Sequence, residues 1–325
     1  MSRVVALSPA TRCVRSVGLR LSTLGEVGHR SEGRRSNVKG PFGGAMFHVE
    51  QTPDTGWGGD GIWKHVGVNT VEPHPLRTQA ELERSAGDDP YVRYDACLLP
   101  GDVAYGWRDS VAVQRSSNFE GRPPSVAVFG PEGGAATELL GWVADGNGFP
   151  EVEALTVDEW LRPQLERRFR IGPGGDWDWM MTEHSPAPVP GEALLETLDD
   201  ARDAGAIEAL NLLASPTAES EPGSGKSVHW LGLRDGDRVV AAGAVHLSDT
   251  GHGVLCGIVV HPEFRGRGLG RAITAASTRF CVERDGLATL GVYRSNTLAI
   301  DLYESLGYRT VHRFVSRRVE GRLRP

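Results

Sequence analysis

Six consecutive residues toward the C-terminal end have the types and spacing best suited to chemistry. In Arg265-Gly266-Arg267-Gly268-Leu269-Gly270, glycine occupies every second position, and Arg271 follows. Glycine lets the main chain approach an anion closely, because a Cβ there would obstruct it. Backbone N–H groups at the start of a helix attract negative charge. The segment therefore predicts a loop that binds a phosphate or diphosphate group.

The elements on both sides would position this loop. Residues 254–260 form an apolar run that predicts a buried strand. After the loop, apolar residues recur at helical spacing at Leu269, Ile273, Ala276 and Phe280. The order strand, glycine loop, helix is the arrangement that presents several N–H groups to one anion.

Other glycine loops fit this segment less well. A dinucleotide-binding loop needs GxGxxG spacing, but these glycines are two apart throughout and position 271 is arginine. A phosphate loop of the P-loop type also fails, since no Gly-Lys-Ser/Thr follows. A purely structural turn stays open as an alternative. Three arginines in such a turn would repel one another without an anion, which favours a bound phosphate.

Around this glycine loop the sequence resembles the GNAT superfamily of N-acetyltransferases. The family signature is Arg or Gln, two residues, Gly, one residue, and Gly or Ala, and Arg265, Gly268 and Gly270 match it. The preceding residues 259–264 are similar to the family's lead-in of apolar strand, proline and aromatic. The resemblance covers roughly residues 227–317. It implies an α/β fold of the α+β type, the GNAT fold, with a mixed and mostly antiparallel sheet flanked by helices.

The segment after the helix extends the resemblance. Residues 287–292 predict a strand, and residues 297–306 an amphipathic helix that ends at Gly307. The resemblance assigns Asn296 to the pantetheine arm of the cofactor or to loop order, although a plain helix N-cap is a compatible alternative. It assigns Tyr303 as the general acid for the departing thiolate. The alternative is that Tyr303 only packs on the helix face.

The resemblance also implies the cofactor and the residues that hold it. The cofactor is acetyl-CoA as acyl donor, and no metal is expected. The backbone of the last strand residues before the loop would hold the pantetheine by strand addition. The expected cofactor-binding residues are Ile258, Val259, Val260, Arg265, Gly266, Arg267, Gly268, Leu269, Gly270, Arg271 and Asn296.

The catalytic base is not assigned by the sequence. Residues 254–260 contain no carboxylate, while Asp249, His252 and Glu263 lie nearby in sequence. A residue of the N-terminal half is another alternative. Cys256 and Cys281 lack a His and acid partner at an interpretable spacing, so both are interpreted as small core residues.

The implied activity is direct transfer of acetyl to a primary amine of a small molecule or a peptide. No motif identifies the acceptor. The alternative is an acyl-CoA-binding regulatory module that has lost catalysis, which the missing base favours.

Composition limits the other classes of function. The chain has 325 residues, 39% of them apolar, and a formal charge of −7. Nucleic-acid binding normally requires a surplus of Lys and Arg, so we expect no nucleic acid partner. No run is long and apolar enough to predict a membrane span. Four scattered cysteines favour a reducing, cytoplasmic location, and a homodimer stays open.

The domain organisation is read from shifts in composition. Residues 1–45 hold eight Lys/Arg and two Glu, and are interpreted as a disordered tail or as a start assigned too early, with translation from Met46. A transit peptide is a further alternative. An N-terminal α/β domain is expected at 46–184, a linker at 185–192 and the catalytic domain at 193–325.

The N-terminal domain is a candidate second copy of the same fold. A strand at 125–129 and helices at 135–144 and 157–169 are predicted there. The glycine loop at 130–134 lacks the arginines and the RxxGxG spacing. We therefore expect a degenerate copy that no longer binds cofactor and shapes the acceptor pocket. In the catalytic domain, helices within 194–213 and three antiparallel strands precede the phosphate loop, and closing strands are expected within 310–319.

Overall fold

The strands of the chain join into one sheet. A computed structural model describes residues 72–115 and 125–323. In those residues the strands are β1 (His74–Leu76), β2 (Ala104–Trp107), β3 (Ser110–Arg115), β4 (Ser125–Phe129), β5 (Ala154–Asp158), β6 (Phe169–Thr182), β7 (Glu196–Thr197), β8 (Ser227–Asp235), β9 (Arg238–Leu247), β10 (Gly253–Val260), β11 (Ala288–Tyr293) and β12 (Arg309–Arg322). The α-helices are α1 (Gln79–Ser85), α2 (Pro90–Tyr94), α3 (Ala136–Ala144), α4 (Arg162–Arg168), α5 (Ala204–Ala214), α6 (Leu269–Asp285) and α7 (Thr297–Ser305).

The order of the strands is symmetric about the centre of the sheet. It runs β1-β2-β3-β4-β5-β12-β6-β11-β10-β9-β8-β7. Among the described strands, β4 pairs with β5 and β10 with β11 in parallel, and the other neighbours are antiparallel. Each parallel pair needs a crossover connection, which α3 and α6 provide. The predicted fold class, a mixed and mostly antiparallel sheet flanked by helices, is confirmed.

The two halves of the chain repeat one order of elements and exchange their last strands. In the first half, β2 to β5 and the helices α3 and α4 lead into β6, and in the second half β8 to β11 with α6 and α7 lead into β12. Strand β6 pairs with β11 of the second half, while β12 pairs with β5 of the first. The two exchanged strands also pair with each other from Phe169–Arg322 to Met181–Arg309. The expected boundary at 185–192 therefore separates the halves in sequence but not in the sheet.

Successive strand residues supply cores on opposite faces of the sheet, as the period of two requires. Met181 packs with the helices α1 and α2, whereas Met180 packs with α6 and α7. Ala242 packs under α5 and Ala241 under α6. We call the side with α1, α2 and α5 the front face, and the side with α3, α4, α6 and α7 the back face.

Most of the predicted elements are present, with three corrections. The strand at 125–129, the helix at 136–144, the three strands β8 to β10 and the helix α7 confirm the prediction. A single helix over 157–169 is wrong, because Val157 and Asp158 end β5 and a 3₁₀ turn at Glu159–Leu161 precedes α4. In 194–213 the helix begins only at Ala204, since β7 pairs with β8 before it. The C-terminal strands are one long strand, β12.

The segment from Trp177 to Met181 lies on β6 in the middle of the sheet. The predictions for residues 1–45 fall outside the described residues. None of the described helices has the length and apolar character that a bilayer span requires.

Candidate functional site

A bulge interrupts β10 just before its C-terminal end. The pairing of β9 with β10 shifts between Cys256 and Val259, and Gly257 between them has a φ of +57°. A Cβ on Gly257 would lie 2.2 Å from the Cβ of Ser220. Glycine is therefore needed here both for the backbone conformation and for the contact with the loop that follows α5.

Beyond the bulge, β10 separates from its parallel neighbour β11. Their register comprises Val254–Thr289 and Leu255–Leu290. Farther along, no described strand pairs with the β11 side of β10. The N–H and C=O groups of residues 258–260 on that side face a gap, and a polar extended ligand could pair with them. The side chains of Ile258 and Val260 pack on the back face, while Val259 is buried on the front face.

The glycine loop lies between this gap and α6. Gly266 and Gly268 have φ values of +76° and +78°, and Gly268 is the N-cap of α6 without a side-chain cap. A Cβ on either glycine would meet no protein atom within 4 Å. Gly266 and Gly268 therefore allow the left-handed backbone conformation and leave open space in front of the loop. Gly270 differs, because its Cβ would make an ordinary contact with Val260.

The start of α6 has unused hydrogen-bond donors. The first intrahelical bond runs from the N–H of Ala272 to the carbonyl of Gly268. The N–H groups of Leu269, Gly270 and Arg271 precede it and have no partner within the helix. Leu269 itself is buried and anchors the turn in the core. The helix dipole adds partial positive charge at this place, which favours an anion.

Arg265 is held by two backbone carbonyls. Its Nη2 donates to Ala214 at 2.9 Å and its Nε to Val260 at 3.2 Å. These bonds join the loop to the C-terminal end of α5 and to the end of β10. The first arginine of the predicted set thus orders the loop in this structure, and direct contact with the cofactor stays a prediction.

The other two arginines lie closer to the helix start. Arg267 donates to the carbonyl of Glu263 at 3.0 Å, and its guanidinium stacks 4.6 Å from the ring centre of Phe264. Arg271 donates from Nη1 to Ser305 Oγ at 2.6 Å, which joins α6 to α7. Hydrogen bonds to neutral oxygen acceptors therefore reduce the repulsion between Arg267 and Arg271. Both guanidinium groups remain beside the start of α6.

Helix α7 closes the other side of the gap. Asn296 is its N-cap, and the side-chain Oδ1 accepts from the N–H of Ala299 at 3.3 Å. This is the compatible alternative that the sequence left open. Asn296 is exposed, so a contact with the pantetheine arm stays a prediction.

Tyr303 lies on the part of α7 that packs against the end of β10. Burial raises the pKa of Tyr303 to about 12, and the nearby Cys256 thiol also acts to raise it. The phenol therefore keeps its proton over the whole neutral range. Burial likewise raises the pKa of Cys256, and the negative charges of Glu219 and Glu221 add to that shift. A thiol held in its protonated form is a poor nucleophile, which supports the interpretation of Cys256 as a packing residue.

The nearby acids and bases named from sequence lie away from the gap. Asp249 and His252 are in the turn before β10, at the opposite end of that strand. Glu263 pairs with Arg238. Glu219 and Glu221, in the polar loop between α5 and β8, flank Ser220, which packs on the bulge, and both carboxylates act on the pKa of Cys256. That loop contains no motif, so no sequence signal could have identified Glu219.

In the first half of the chain, side chains fill the corresponding positions. Where β4 and β5 end, Gly130 N–H donates to Asp158 Oδ2 at 3.3 Å. His312 lies between Asp158 (2.8 Å) and Asp89 (2.9 Å). At the start of α3, Asp109 accepts a hydrogen bond from the backbone of Ala135. In the first half β4 and β5 stay paired to Val128 and Val157, and protein carboxylates lie both at their ends and beside the start of α3.

Among the described residues, no group of three or more His, Cys, Asp and Glu side chains is arranged to hold a metal ion. The second-half gap, with its glycine loop and helix terminus, is the place that suits an extended ligand bearing a diphosphate.

Comparison with known proteins points to the same part of the chain. Residues 192–308 match the model of the Acetyltransferase (GNAT) family. A comparison with curated proteins gave no match.

Three solved structures illustrate the similarity. A GNAT-family protein from Novosphingobium aromaticivorans is 24% identical, with 48% of this chain and 68% of that chain covered and a TM-score of 0.40. A GCN5-related N-acetyltransferase from Kribbella flavida is 16% identical, with coverage of 65% and 87% and a TM-score of 0.46. A GNAT-family acetyltransferase from Colwellia psychrerythraea is 14% identical, with coverage of 77% and 100% and a TM-score of 0.47. On the family match, residues 192–308 are a domain of the GNAT acetyltransferase family.

Proposed function

We propose that this chain is an N-acetyltransferase that transfers acetyl from acetyl-CoA directly to a primary amine of a small molecule or peptide. The observation that carries the proposal is the open gap between β10 and β11 beside the Arg265–Arg271 loop. The loop has two left-handed glycines with free space in front of them. Acyl transfer of the GNAT type is supported by the family match.

The fit to the cofactor rests on three features of the chain. N–H groups at the start of α6, together with Arg267 and Arg271, would hold the diphosphate. The backbone of residues 258–260 would hold the pantetheine by strand addition. Acetyl-CoA supplies an acetyl group already activated as a thioester. No described feature of the site requires a metal.

Tyr303 is the proposed general acid. Its raised pKa keeps the phenol protonated, so it can give a proton or a hydrogen bond to a thiolate leaving group. The proximity of Tyr303 to Cys256, beside the bulge of β10, supports this role.

The first half is the proposed degenerate copy. It repeats the order of strands and helices, but Asp109 accepts a hydrogen bond from the N-cap residue of the helix that would receive a diphosphate, Ala135. That carboxylate would repel a phosphate group at the start of α3, and the loop at 130–134 contains no arginine. A cytoplasmic location belongs to the proposal too, since the four cysteines lie far apart in the sequence and form no CxxC pair.

The test measures cofactor binding and catalysis separately. Calorimetry should show that CoA binds, and acetyl-CoA should release free thiol with members of a panel of polyamines, aminoglycosides, amino acids and peptide N-termini. Absence of any CoA binding would refute the proposal. Tight binding without thiol release for any amine would favour the alternative, a CoA-binding regulatory module.

A further inference from the structure

An exposed glycine lies in the middle of the sheet. Gly291 is on β11, between β6 and β10, yet it is exposed on the surface. A Cβ there would lie 3.6 Å from Cε3 of Trp177, which is an ordinary contact. The fold itself would thus tolerate alanine. Glycine within a strand commonly marks a site where another molecule approaches the backbone closely.

Aromatic side chains border this glycine on the front face. Trp177, on the neighbouring strand β6, donates from its indole N–H to Ser316 Oγ at 2.8 Å, which fixes the ring. Tyr293, two residues beyond Gly291 on the same face, is 41% exposed. We use the name Gly291 groove for the exposed surface over Gly291 together with the neighbouring Trp177 and Tyr293 side chains. One of its walls, Trp177, comes from the exchanged strand of the first half.

Glu219 lies at the end of the groove. Its Oε1 accepts a hydrogen bond of 3.4 Å from the hydroxyl of Tyr293. The next residue, Ser220, is fully buried against the bulge at Gly257, and its carbonyl is 3.0 Å from Nε2 of His246. These contacts anchor the loop that carries the carboxylate. Glu219 is therefore held where the groove meets the gap between β10 and β11.

The first half shows what this geometry can bind. There, Asp89 precedes α2 on the front face, Asp158 ends β5, and the imidazole of His312 lies between the two carboxylates. Strand β5 corresponds to β11 in the symmetric order, so Asp158 matches the end of β11 near Tyr293. By the strand registers, His312 corresponds to Gly175, against which the Tyr293 ring lies. The first half therefore holds a protein cation between carboxylates next to the position of Tyr293, the residue that contacts Glu219 in the second half.

We propose that the Gly291 groove binds the acceptor and that Glu219 receives its ammonium group and removes the proton. The inference rests on the proposed acetyl transfer and deepens it by naming the acceptor's chemical class. That class is a cationic primary amine on an unbranched or flat carbon chain. A carboxylate beside aromatic faces attracts a cation, and the faces of Trp177 and Tyr293 contact the carbon chain.

The step balances with two protein groups. Glu219 takes the proton that the ammonium loses, and the amine nitrogen bonds to the acetyl carbon. The nitrogen of the tetrahedral intermediate then gives a second proton to water, and the carbon–sulfur bond breaks. Sulfur leaves with the electron pair of that bond, and Tyr303 gives it a proton. Exchange with water then returns a proton to the Tyr303 oxygen and removes one from Glu219. The products are the amide and the free thiol of CoA.

The experiment compares Glu219→Gln with Glu221→Gln, a matched change in the same loop. With the amine from the panel that wild type acetylates fastest, Glu219→Gln should lower kcat/KM at least 100-fold, while Glu219→Asp retains an intermediate value. Calorimetry should give the same CoA affinity for all variants. Binding of that amine to CoA-saturated protein should weaken at least tenfold in Glu219→Gln only.

A second pair of variants tests the groove without changing a charge. Gly291→Ala adds one methyl group to the floor and should raise the KM for the amine several-fold with unchanged CoA affinity. Gly205→Ala, where a Cβ meets nothing within 4 Å, is the control and should behave as wild type.

The outcomes separate this inference from the proposed function. Full activity and amine affinity in Glu219→Gln, with an active wild type, would overturn the assignment of Glu219 and leave the acetyltransferase intact. An inactive wild type on every amine would instead refute the proposed function, and the inference with it.

Discussion

The carboxylate of Asp109 accepts a hydrogen bond of 3.1 Å from the N–H of Ala135, where α3 begins. In the described part of the chain, no side-chain oxygen accepts from the N–H of the corresponding N-cap residue of α6, Gly268. A carboxylate of the protein thus lies at one helix start, and the other remains available to a ligand. This difference distinguishes the two halves of the sheet more sharply than their strand order does.

The chain should therefore bind a single molecule of CoA. Calorimetric titration is expected to give a stoichiometry near one CoA per chain. The Asp109→Asn variant should have the same stoichiometry, because the loop at 130–134 lacks arginine. A stoichiometry of two in the wild type would contradict a closed first half.

Gly257→Ala should destabilise the protein. The new Cβ would require a φ of +57° for a residue that disfavours it, and it would clash with Ser220. We expect the free energy of unfolding to fall by about 1–3 kcal/mol, measured by chemical denaturation. Gly236→Ala is the control for backbone strain alone, since its φ is also positive but its Cβ would meet open space. Equal losses in the two variants would show that the contact with Ser220 contributes nothing.

Arg271→Ala should weaken CoA binding by about tenfold, which corresponds to about 1.4 kcal/mol. Arg271 lies in the first turn of α6, and the variant removes charge next to the diphosphate. Affinity for pantetheine, which lacks the diphosphate, should not change. Arg318→Ala, on the exposed part of β12, is the control. An equal loss of affinity for CoA and pantetheine would argue against a diphosphate contact.

Tyr303→Phe should lower kcat by about 100-fold, at the low end of the range for general acid catalysis. The affinity for CoA, measured by calorimetry, should stay the same, because only the hydroxyl is lost. Since the pKa of Tyr303 is raised to about 12, wild-type activity should show no decline from its ionisation between pH 6 and pH 10. Undiminished turnover in the variant would remove Tyr303 from the mechanism.

His312 should make stability depend on pH. Burial alone would lower its pKa, but the hydrogen bonds to Asp158 and Asp89 outweigh burial and raise the pKa to about 9 from the ordinary 6.5. The folded state thus holds the proton more tightly than the unfolded state. The contribution of protonated His312 to the free energy of unfolding is complete below about pH 6.5 and is lost as the pH rises through 9. A shift of this size corresponds to on the order of 3 kcal/mol.

Denaturation curves from pH 6 to pH 10 measure this effect. We expect wild type to lose stability across that window, and His312→Asn to be less stable at pH 6 and flatter above it. Parallel curves for the two proteins would show that His312 is not the group responsible.

Local pattern was sufficient for the elements around the glycine loop. The spacing of Arg265, Gly268 and Gly270, the apolar run before them and the helical periodicity after them are all properties of adjacent residues. Backbone sterics and the periods of two and 3.6 act over such short distances. The glycine loop at 265–270, the helix α7 and the strands β8 to β10 could therefore be predicted.

The exchange of β6 and β12 was decided by tertiary structure alone. Strand pairing joins residues far apart in the chain, such as Phe314 and Trp177, and no local period specifies the partner. For the same reason, sequence could not show that Asp109 blocks one helix start or that Glu219 meets Tyr293. The sequence by itself determined a backbone suited to hold an anion. Only the packed sheet decided which of the two halves has an open helix start, because long-range contacts place the carboxylates beside each site.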